Sequence, residues 1–347
     1  MKSAGWLLLA LAVPYGLAVR ARATLYERGW LSSRRLPCRV VSVGNLTVGG
    51  TGKTPVVISI TQLLIARGQR VGVLSRGYRR RSRAARVLVS DGRTTLAGPA
   101  EAGDEPYLIA WRCPGAVVAV GSDRYRLGRW VLERFPIDCL VLDDGFQHLA
   151  LHRDVDLLLI DASDPAGLKA LLPAGRLREP LSAAARATAL LLTRADLGAG
   201  PTALLEPIRA ATGRDSRAIL IRFRPEALVN IVTGEIEKVE SAAGRKAVIF
   251  SGIANPVSFR TLLADQGVKI LDDVVFPDHH AYTAADLEMI RDRAGRCGAD
   301  MIVTTEKDAV KVTTMLARTD RLWAIRLRTE IMEGQAEFER LLSGLAG

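Results

Sequence analysis

The stretch Val40–Ile60, VVSVGNLTVGGTGKTPVVISI, constrains this chain more than any other. An apolar run, a glycine-rich bend and a second apolar run read as strand, loop and helix, the local grammar of a phosphate-binding loop. Set against G-x-x-x-x-G-K-[ST], the pattern spans Thr47, Val48, Gly49, Gly50, Thr51, Gly52, Lys53 and Thr54, with Thr47 in place of the first glycine. The glycines let consecutive backbone N–H groups turn inward around an anion. Lys53 is placed to neutralise the β- and γ-phosphates of a nucleoside triphosphate, and Thr54 to ligate Mg²⁺.

Such a loop needs carboxylates at the end of a neighbouring strand, where ligands sit in open α/β sheets. IDCLVLDDGFQH supplies them, because Leu140, Val141 and Leu142 run directly into Asp143 and Asp144. The two acids are expected to support the metal. Asp-Asp-Gly is also ordinary turn chemistry, which is the bland reading of the same residues.

Short apolar strands alternating with helical stretches predict a parallel sheet covered on both faces. Strands are expected at 39–43, 70–74, 116–120, 139–142, 157–160 and 190–192, and helices at 54–67, 104–111, 123–135 and 181–187. The rhythm breaks at ILIRFRPEALVNIVTGEIEKVE, which reads as two extended arms about a TGE turn. Alternation then resumes, and a closing helix is expected over 330–345. The resulting division is an N-terminal helix (1–25), a phosphate-loop domain (26–222), a β-ribbon linker (223–240) and a smaller α/β domain (241–347).

The formal charge of +11 is concentrated in arginine, most densely in SRGYRRRSRAAR at Ser75–Arg86. That balance calls for an anionic partner: nucleic acid, an acidic membrane surface or a phosphorylated substrate. No aromatic-interleaved basic platform accompanies it, so a nucleic-acid partner is not expected. Four scattered cysteines without a CxxC pair argue against a zinc site or disulfide framework and fit a reducing compartment. The apolar run between Lys2 and Arg20 is followed by arginines rather than a small-residue cleavage site. It sits near the lower length limit for crossing a bilayer, and Pro14 and Gly16 interrupt it. An interfacial helix is therefore expected, with Trp6 and Tyr15 at headgroup level and flanking arginines on anionic lipid; a buried core helix is the alternative.

A phosphate loop with Mg²⁺ serves kinases, GTPases and transport ATPases alike. LLTRAD (191–196) only faintly matches a guanine-reading element, Arg194 standing where lysine belongs, and is read as strand-end turn chemistry. A kinase must also remove a proton from its acceptor hydroxyl. Two stretches offer a base: EAGDEPYLIAW with Asp104 and Glu105, and FPDHHAYTAADL with Asp278, His279 and His280. Helix capping by Asp104 or Asp278 is the structural alternative.

Taken together, GNLTVGGTGKTPVV, LSRGYRR, GDEP, VGSDR, LDDGFQH, LLPAGRLREP, SGIANP, FPDHHAYT and TTEKDAVK resemble the tetraacyldisaccharide 4'-kinases, the lipid A 4'-kinases of Gram-negative bacteria. The resemblance implies transfer of the ATP γ-phosphate to the 4'-hydroxyl of a tetraacylated glucosamine disaccharide 1-phosphate. The product is lipid IVA, and the reaction occurs at the cytoplasmic face of the inner membrane. It further implies Asp104 as general base, tuned by His279 with His280 as runner-up, and Lys53 on the phosphates. Thr54, Asp143 and Asp144 would serve Mg²⁺, with Glu179 assisting once a cleft between the two domains closes. Arg76, Tyr78 and Arg79 are candidates for the sugar-phosphate headgroup on grounds of charge. A monomer is expected. The rival classes are a phosphate-loop ATPase or GTPase with no sugar acceptor, and a nucleic-acid binder driven by the arginine cluster.

Overall fold

The computed structural model describes residues 2–197, 200–213, 218–318 and 320–344, with side chains from residue 8 onward. A 26-residue helix, α1 (Lys2–Glu27), opens the chain and runs straight through Pro14. There follow β1 (Arg39–Asn45), α2 (Lys53–Ala66), β2 (Val71–Ser75), β3 (Arg86–Asp91), α3 (Pro99–Ala102), α4 (Asp104–Arg112), β4 (Val117–Gly121), α5 (Arg124–Leu132), β5 (Cys139–Asp143), β6 (Val155–Asp161), β7 (Ala189–Thr193) and α6 (Pro201–Thr212). The remainder is β8 (Ala218–Asn230), β9 (Ile236–Lys238), β10 (Lys246–Ser251), α7 (Pro256–Asp265), β11 (Lys269–Val275), α8 (Ala284–Cys297), β12 (Met301–Thr305), α9 (Glu306–Val312), β13 (Leu322–Glu333) and α10 (Gln335–Ser343).

Thirteen strands form one continuous sheet in the order β11-β10-β12-β13-β8-β7-β6-β1-β5-β2-β4-β3, with β9 paired on β8. Most neighbours are parallel; the antiparallel exceptions are β3 on β4, β9 on β8, and β13 on β8. Buried on both faces, the central strands are continuous apolar runs, as the sequence suggested: Val71–Ser75, Val117–Gly121, Cys139–Asp143 and Ala189–Thr193 are buried throughout. Helix α2 packs Val56, Val57, Ile60 and Leu64 onto this sheet, fixing the helix that starts at the phosphate loop. Because β1, β2, β5, β6 and β7 are parallel, Asn45, Ser75, Asp143, Asp161 and Thr193 all end on one edge. That edge carries the site.

Four expectations need correction. The region 330–345 is not one helix: β13 continues to Glu333, because Glu330 and Ile331 pair with Arg222 and Ile221 of β8. The Arg222–Glu330 ion pair (2.5 Å) fastens that extension, and only residues 335–343 are helical. The arms about TGE do pair, but β9 is three residues long and β8 takes β13 as its main partner. Residues 181–186 form a 3₁₀ helix rather than an α-helix. Finally, β3 and α6 stand where no element was expected.

Helix α1 is not the buried core helix of the alternative reading. Its span Leu8–Glu27 is long and apolar enough to cross a membrane and only 6% buried. Leu8, Leu9, Leu11, Val13 and Leu17 face outward. Its other side is tied to the body: the Tyr15 hydroxyl donates to the Arg178 carbonyl (2.8 Å), and Arg22 donates to the Gln147 carbonyl (3.2 Å).

Candidate active site

The turn from β1 into α2 is held from inside by Asn45. Its Nδ2 donates to Thr51 Oγ1 (3.0 Å), with Thr47 Oγ1 at 3.5 Å, and its Oδ1 accepts from Lys53 Nζ (3.1 Å). From the strand behind, Thr193 Oγ1 donates to the Thr51 carbonyl (2.8 Å) and Arg194 Nη1 to that of Gly50 (3.1 Å). The stretch read as plain turn chemistry therefore anchors the loop, with Arg194 held in turn by Asp161. The Val48 amide donates to the Arg176 carbonyl (2.8 Å). A Cβ added at Gly49 or Gly50 would meet nothing within 4 Å, so this side of the loop is open to an anion. Gly52 has φ +82°, and a Cβ there would come within 2.4 Å of the Phe223 ring. Only glycine meets both conditions without strain.

Lys53 also lies 3.5 Å from Asp144, which accepts from Arg178 Nη1 at 2.7 Å. Burial opposes ionisation of Asp144, but Lys53 and Arg178 outweigh it and hold the carboxyl below its ordinary range. Asp143 is fully buried and accepts from the Ser75 hydroxyl (2.7 Å). Burial, then the charge of Glu105 at the start of α4, push its pKa up to about 7. Buried carboxylates normally have hydrogen-bond partners. Here Asp143 Oδ1, Asp144 Oδ1 and Glu179 Oε1 are buried without one, the donor chemistry a hard cation takes. Among the described residues no three such groups cluster into a complete cage. That fits Mg²⁺, which takes one or two carboxylates and completes its shell with water and phosphate. Glu179 is held by Arg186 (2.7 Å), and among the described residues no hydrogen bond or ion pair joins it to Asp143 or Asp144. Thr54, the first residue after Lys53 in α2, sits at the loop's exit.

Asp104 is the first residue of α4, and the N-cap is Gly103, so its carboxylate is not spent on capping. Two close approaches seat it. Gly77 and Gly103 both have positive φ, and a Cβ on either would come within 2.9 Å of a backbone carbonyl, Ala102 and Tyr78 respectively. The loop after β2 is thereby pressed against the start of α4. From the other half of the sheet, His279 Nδ1 reaches to 3.9 Å of Asp104 Oδ2. His279 is itself in the left-handed region (φ +61°), and its amide donates to the Gly252 carbonyl (3.1 Å). A non-glycine residue held at positive φ is a recurrent feature of functional sites.

Of the two adjacent histidines only His279 faces Asp104. His280 stacks on Phe276 (4.6 Å between ring centroids) and bonds Asp286 (3.1 Å), the acid of the Thr283 capping box that starts α8. Asp278 caps nothing; it lies 3.9 Å from His279 Nε2. Tyr78 is exposed and meets the His279 ring edge-on at 5.8 Å, with the Arg79 guanidinium over the Tyr78 ring (5.5 Å). Arg76 is exposed on the same loop. Sequence reasoning missed Asn45, Arg178, Arg186, Lys307 and Lys311. All but Arg186 stood inside a motif already in view, and the i,i+4 lysines of TTEKDAVK were the one visible signal.

A phosphate loop facing buried Asp143 and half-buried Asp144, with a third acid and an imidazole opposed across the sheet edge, defines a kinase of the P-loop class. Comparison with known proteins narrows this. The family model for LpxK, tetraacyldisaccharide-1-P 4'-kinase, matches residues 4–346. The tetraacyldisaccharide 4'-kinase of Anaeromyxobacter dehalogenans (strain 2CP-C) is 42% identical over 346 residues, covering 98% of this chain and 90% of the relative. That of Syntrophus aciditrophicus is 41% identical over 338 residues, covering 94% and 89%. The crystal structure of LpxK from Aquifex aeolicus in complex with ATP superimposes with a TM-score of 0.79 at 32% identity, covering 97% of this chain and 98% of that one. The chain belongs to the tetraacyldisaccharide-1-P 4'-kinase family.

Proposed function

We propose that this chain transfers the γ-phosphoryl group of ATP to the 4'-hydroxyl of a tetraacyldisaccharide 1-phosphate. Asp104 is the general base and His279 its partner. The carrying observation is the opposition of His279 and Asp104 at 3.9 Å, beside Glu105 whose charge is felt at Asp143. Asp104 takes the proton of the 4'-hydroxyl as its oxygen bonds to the γ-phosphorus and the bond to the β-phosphate bridging oxygen breaks, releasing ADP. His279 orients the carboxylate and shares the developing positive charge. Lys53, the first residue of α2, stabilises the phosphates during transfer. Thr54, Asp143 and Asp144 would hold Mg²⁺, which neutralises phosphate charge when bound. Glu179, with its unpartnered oxygen, would assist from beyond Arg186.

The site's halves come from different parts of the chain: Asp104 from residues 26–222, His279 from residues 241–347. The β8–β13 pair joins them, and we read these segments as two lobes whose approach completes the couple. Water entering an open cleft then meets no assembled base, which limits idle hydrolysis. The acceptor's acyl chains stay in lipid, so the enzyme must work at the surface. Outward-facing Leu8, Leu9, Leu11, Val13 and Leu17 supply an apolar anchor, and the Arg76–Arg86 rim an electrostatic one. The cytoplasmic face of the inner membrane, where ATP is available, is the assigned location, and Arg76, Tyr78 and Arg79 the assigned headgroup contacts.

The test is transfer of labelled γ-phosphate to a tetraacyldisaccharide 1-phosphate in detergent, with and without Mg²⁺. Acceptor-dependent, Mg²⁺-dependent label in the lipid is expected. Phosphate release to water at the same rate with and without acceptor would contradict the reading.

A further inference from the structure

Helix α1 meets the body along one narrow face, and its two side-chain hydrogen bonds there both land beside the phosphate loop. Tyr15 and Arg22 are seven residues apart, two turns along the same side of the helix. Among the described residues of α1, Gly16 alone is buried, and a Cβ there would come within 2.9 Å of Leu171 Cδ1. The glycine that interrupts the apolar run therefore lets the helix lie close against the body.

Tyr15 lands on a strap. Residues 176–179 run antiparallel beside the phosphate loop, with Leu177 bridged to Thr47. The Arg178 amide donates to the Leu46 carbonyl (2.6 Å) and the Val48 amide to the Arg176 carbonyl (2.8 Å). On its other side the Arg178 carbonyl accepts from the Tyr15 hydroxyl (2.8 Å). Residue 178 is thus bonded to the loop by its amide and to α1 by its carbonyl. Its guanidinium donates to Asp144 Oδ2 (2.7 Å), while Asp144 Oδ1 has no hydrogen-bond partner.

Arg22 lands on the turn that follows Asp144. Both terminal nitrogens of its guanidinium donate to the Gln147 carbonyl (3.2 Å each). Gln147 spends its side chain on the site: Nε2 donates to the Asn45 carbonyl (3.0 Å), and Oε1 accepts from Arg178 Nη1 (3.4 Å). Asn45 in turn braces Thr51 and Lys53. The two contacts from α1 therefore converge, because Arg178 and Gln147 are bonded to each other and between them hold Asp144 and Asn45. A lipid anchor could be tied to any surface carbonyl; these two belong to the residues that orient a metal acid and the loop's internal brace.

We propose that Tyr15 and Arg22 are positioning residues for the Mg²⁺–nucleotide site, acting through Arg178 and Gln147. Seated on the body, α1 keeps Arg178 on Asp144 Oδ2 and leaves Oδ1 to the cation, as outer partners commonly orient a metal's ligands. Without that seat the strap loses its outer hydrogen bond, and Arg178 its fixed place. Helix α1 is then part of the catalytic machinery as well as its lipid contact. The inference rests on Asp144 serving Mg²⁺.

The experiment measures the equilibrium affinity of the full chain in detergent for ATP, without acceptor, in Mg²⁺ and again in EDTA. Tyr15→Phe keeps the ring and removes only the hydroxyl. It weakens binding in Mg²⁺ about 3- to 10-fold, the weight of one hydrogen bond. Binding in EDTA changes by less than about twofold, because Asn45, Thr193 and Arg194 still hold the loop. Arg22→Met follows the same pattern, and Arg22→Lys, which keeps a donor, recovers most of the loss. The two substitutions together lose less than the product of their single effects, since both act through the Arg178–Gln147 pair. If Tyr15→Phe melts well below wild type, Arg22→Met carries the measurement. Asp144→Asn with the full wild-type gain from Mg²⁺ overturns the metal reading and this inference with it. Asp144→Asn stripped of that gain, with Tyr15→Phe and Arg22→Met retaining it, overturns the inference alone. So does an equal loss with and without Mg²⁺, the mark of a merely structural role.

Discussion

Removing the Arg112 guanidinium should unsettle the molecule at the far end of the helix that carries the base. Arg112 is buried; it bonds Glu306 Oε2 at 2.5 Å and lies 3.8 Å from Glu226. Glu306 is buried too, and its other oxygen accepts from Arg326 at 3.1 Å. Burial outweighs both arginines and raises the pKa of Glu306. Breaking one partner of a buried pair typically costs about 3–5 kcal/mol, since the survivor is left uncompensated. Arg326 retains part of the compensation here, which puts Arg112→Met near the lower end, about 3 kcal/mol. Arg112→Met/Glu306→Gln removes the stranded charge, and Arg326 can turn its half-buried head toward water. The double variant should therefore lose no more than about 1–2 kcal/mol, less than Arg112→Met alone. Urea unfolding followed by tryptophan fluorescence, which avoids added salt, measures both, and Trp111 stands next to the substitution. A loss below about 1 kcal/mol in Arg112→Met, or a double variant as damaged as the two single losses summed, would refute the reasoning.

Other outcomes follow from single contacts. His148 has its pKa depressed to about 4, first by burial and then by Arg124. Its contribution is present above about pH 6.5 and lost as pH falls toward 4. His148→Gln should flatten the urea midpoint over that window, removing about 1–2 kcal/mol of acid sensitivity after solvent screening. Gly52→Ala meets both a left-handed backbone and the Phe223 ring. It should weaken nucleotide binding at least about tenfold, and Phe223→Ala should restore only part, since the backbone cost of about 1–2 kcal/mol remains. Serine at Leu8, Leu11 and Val13 together should shift the protein out of the membrane fraction while leaving transfer in detergent within about twofold, because these side chains face outward while Tyr15 holds the Arg178 carbonyl.

Local chemistry was the legible part of this chain. The phosphate loop and the Asp143–Asp144 pair are each written in about a dozen consecutive residues, and parallel strands bring such segments to one edge. Asp104 and His279 stood among several candidate bases and were paired only through resemblance, because their 175-residue separation hid the contact itself. The same holds for Lys311 on Asp104, Arg178 on Asp144 and Arg112 on Glu306, pairs set by how distant elements dock rather than by spacing. The closing segment misled for a related reason. Its glutamates favour helix, but β8 offers Glu330 a strand partner and an arginine, and tertiary pairing overrides propensity. Where two histidines were adjacent, sequence left both open; the stacking of His280 on Phe276 separates their roles.

The most direct test of the account is single-turnover transfer of labelled γ-phosphate by Asp104→Ala, read beside its equilibrium affinity for ATP. The account predicts transfer slower by about 10²–10⁴ with ATP affinity within about threefold of wild type. Transfer at close to the wild-type rate would contradict it.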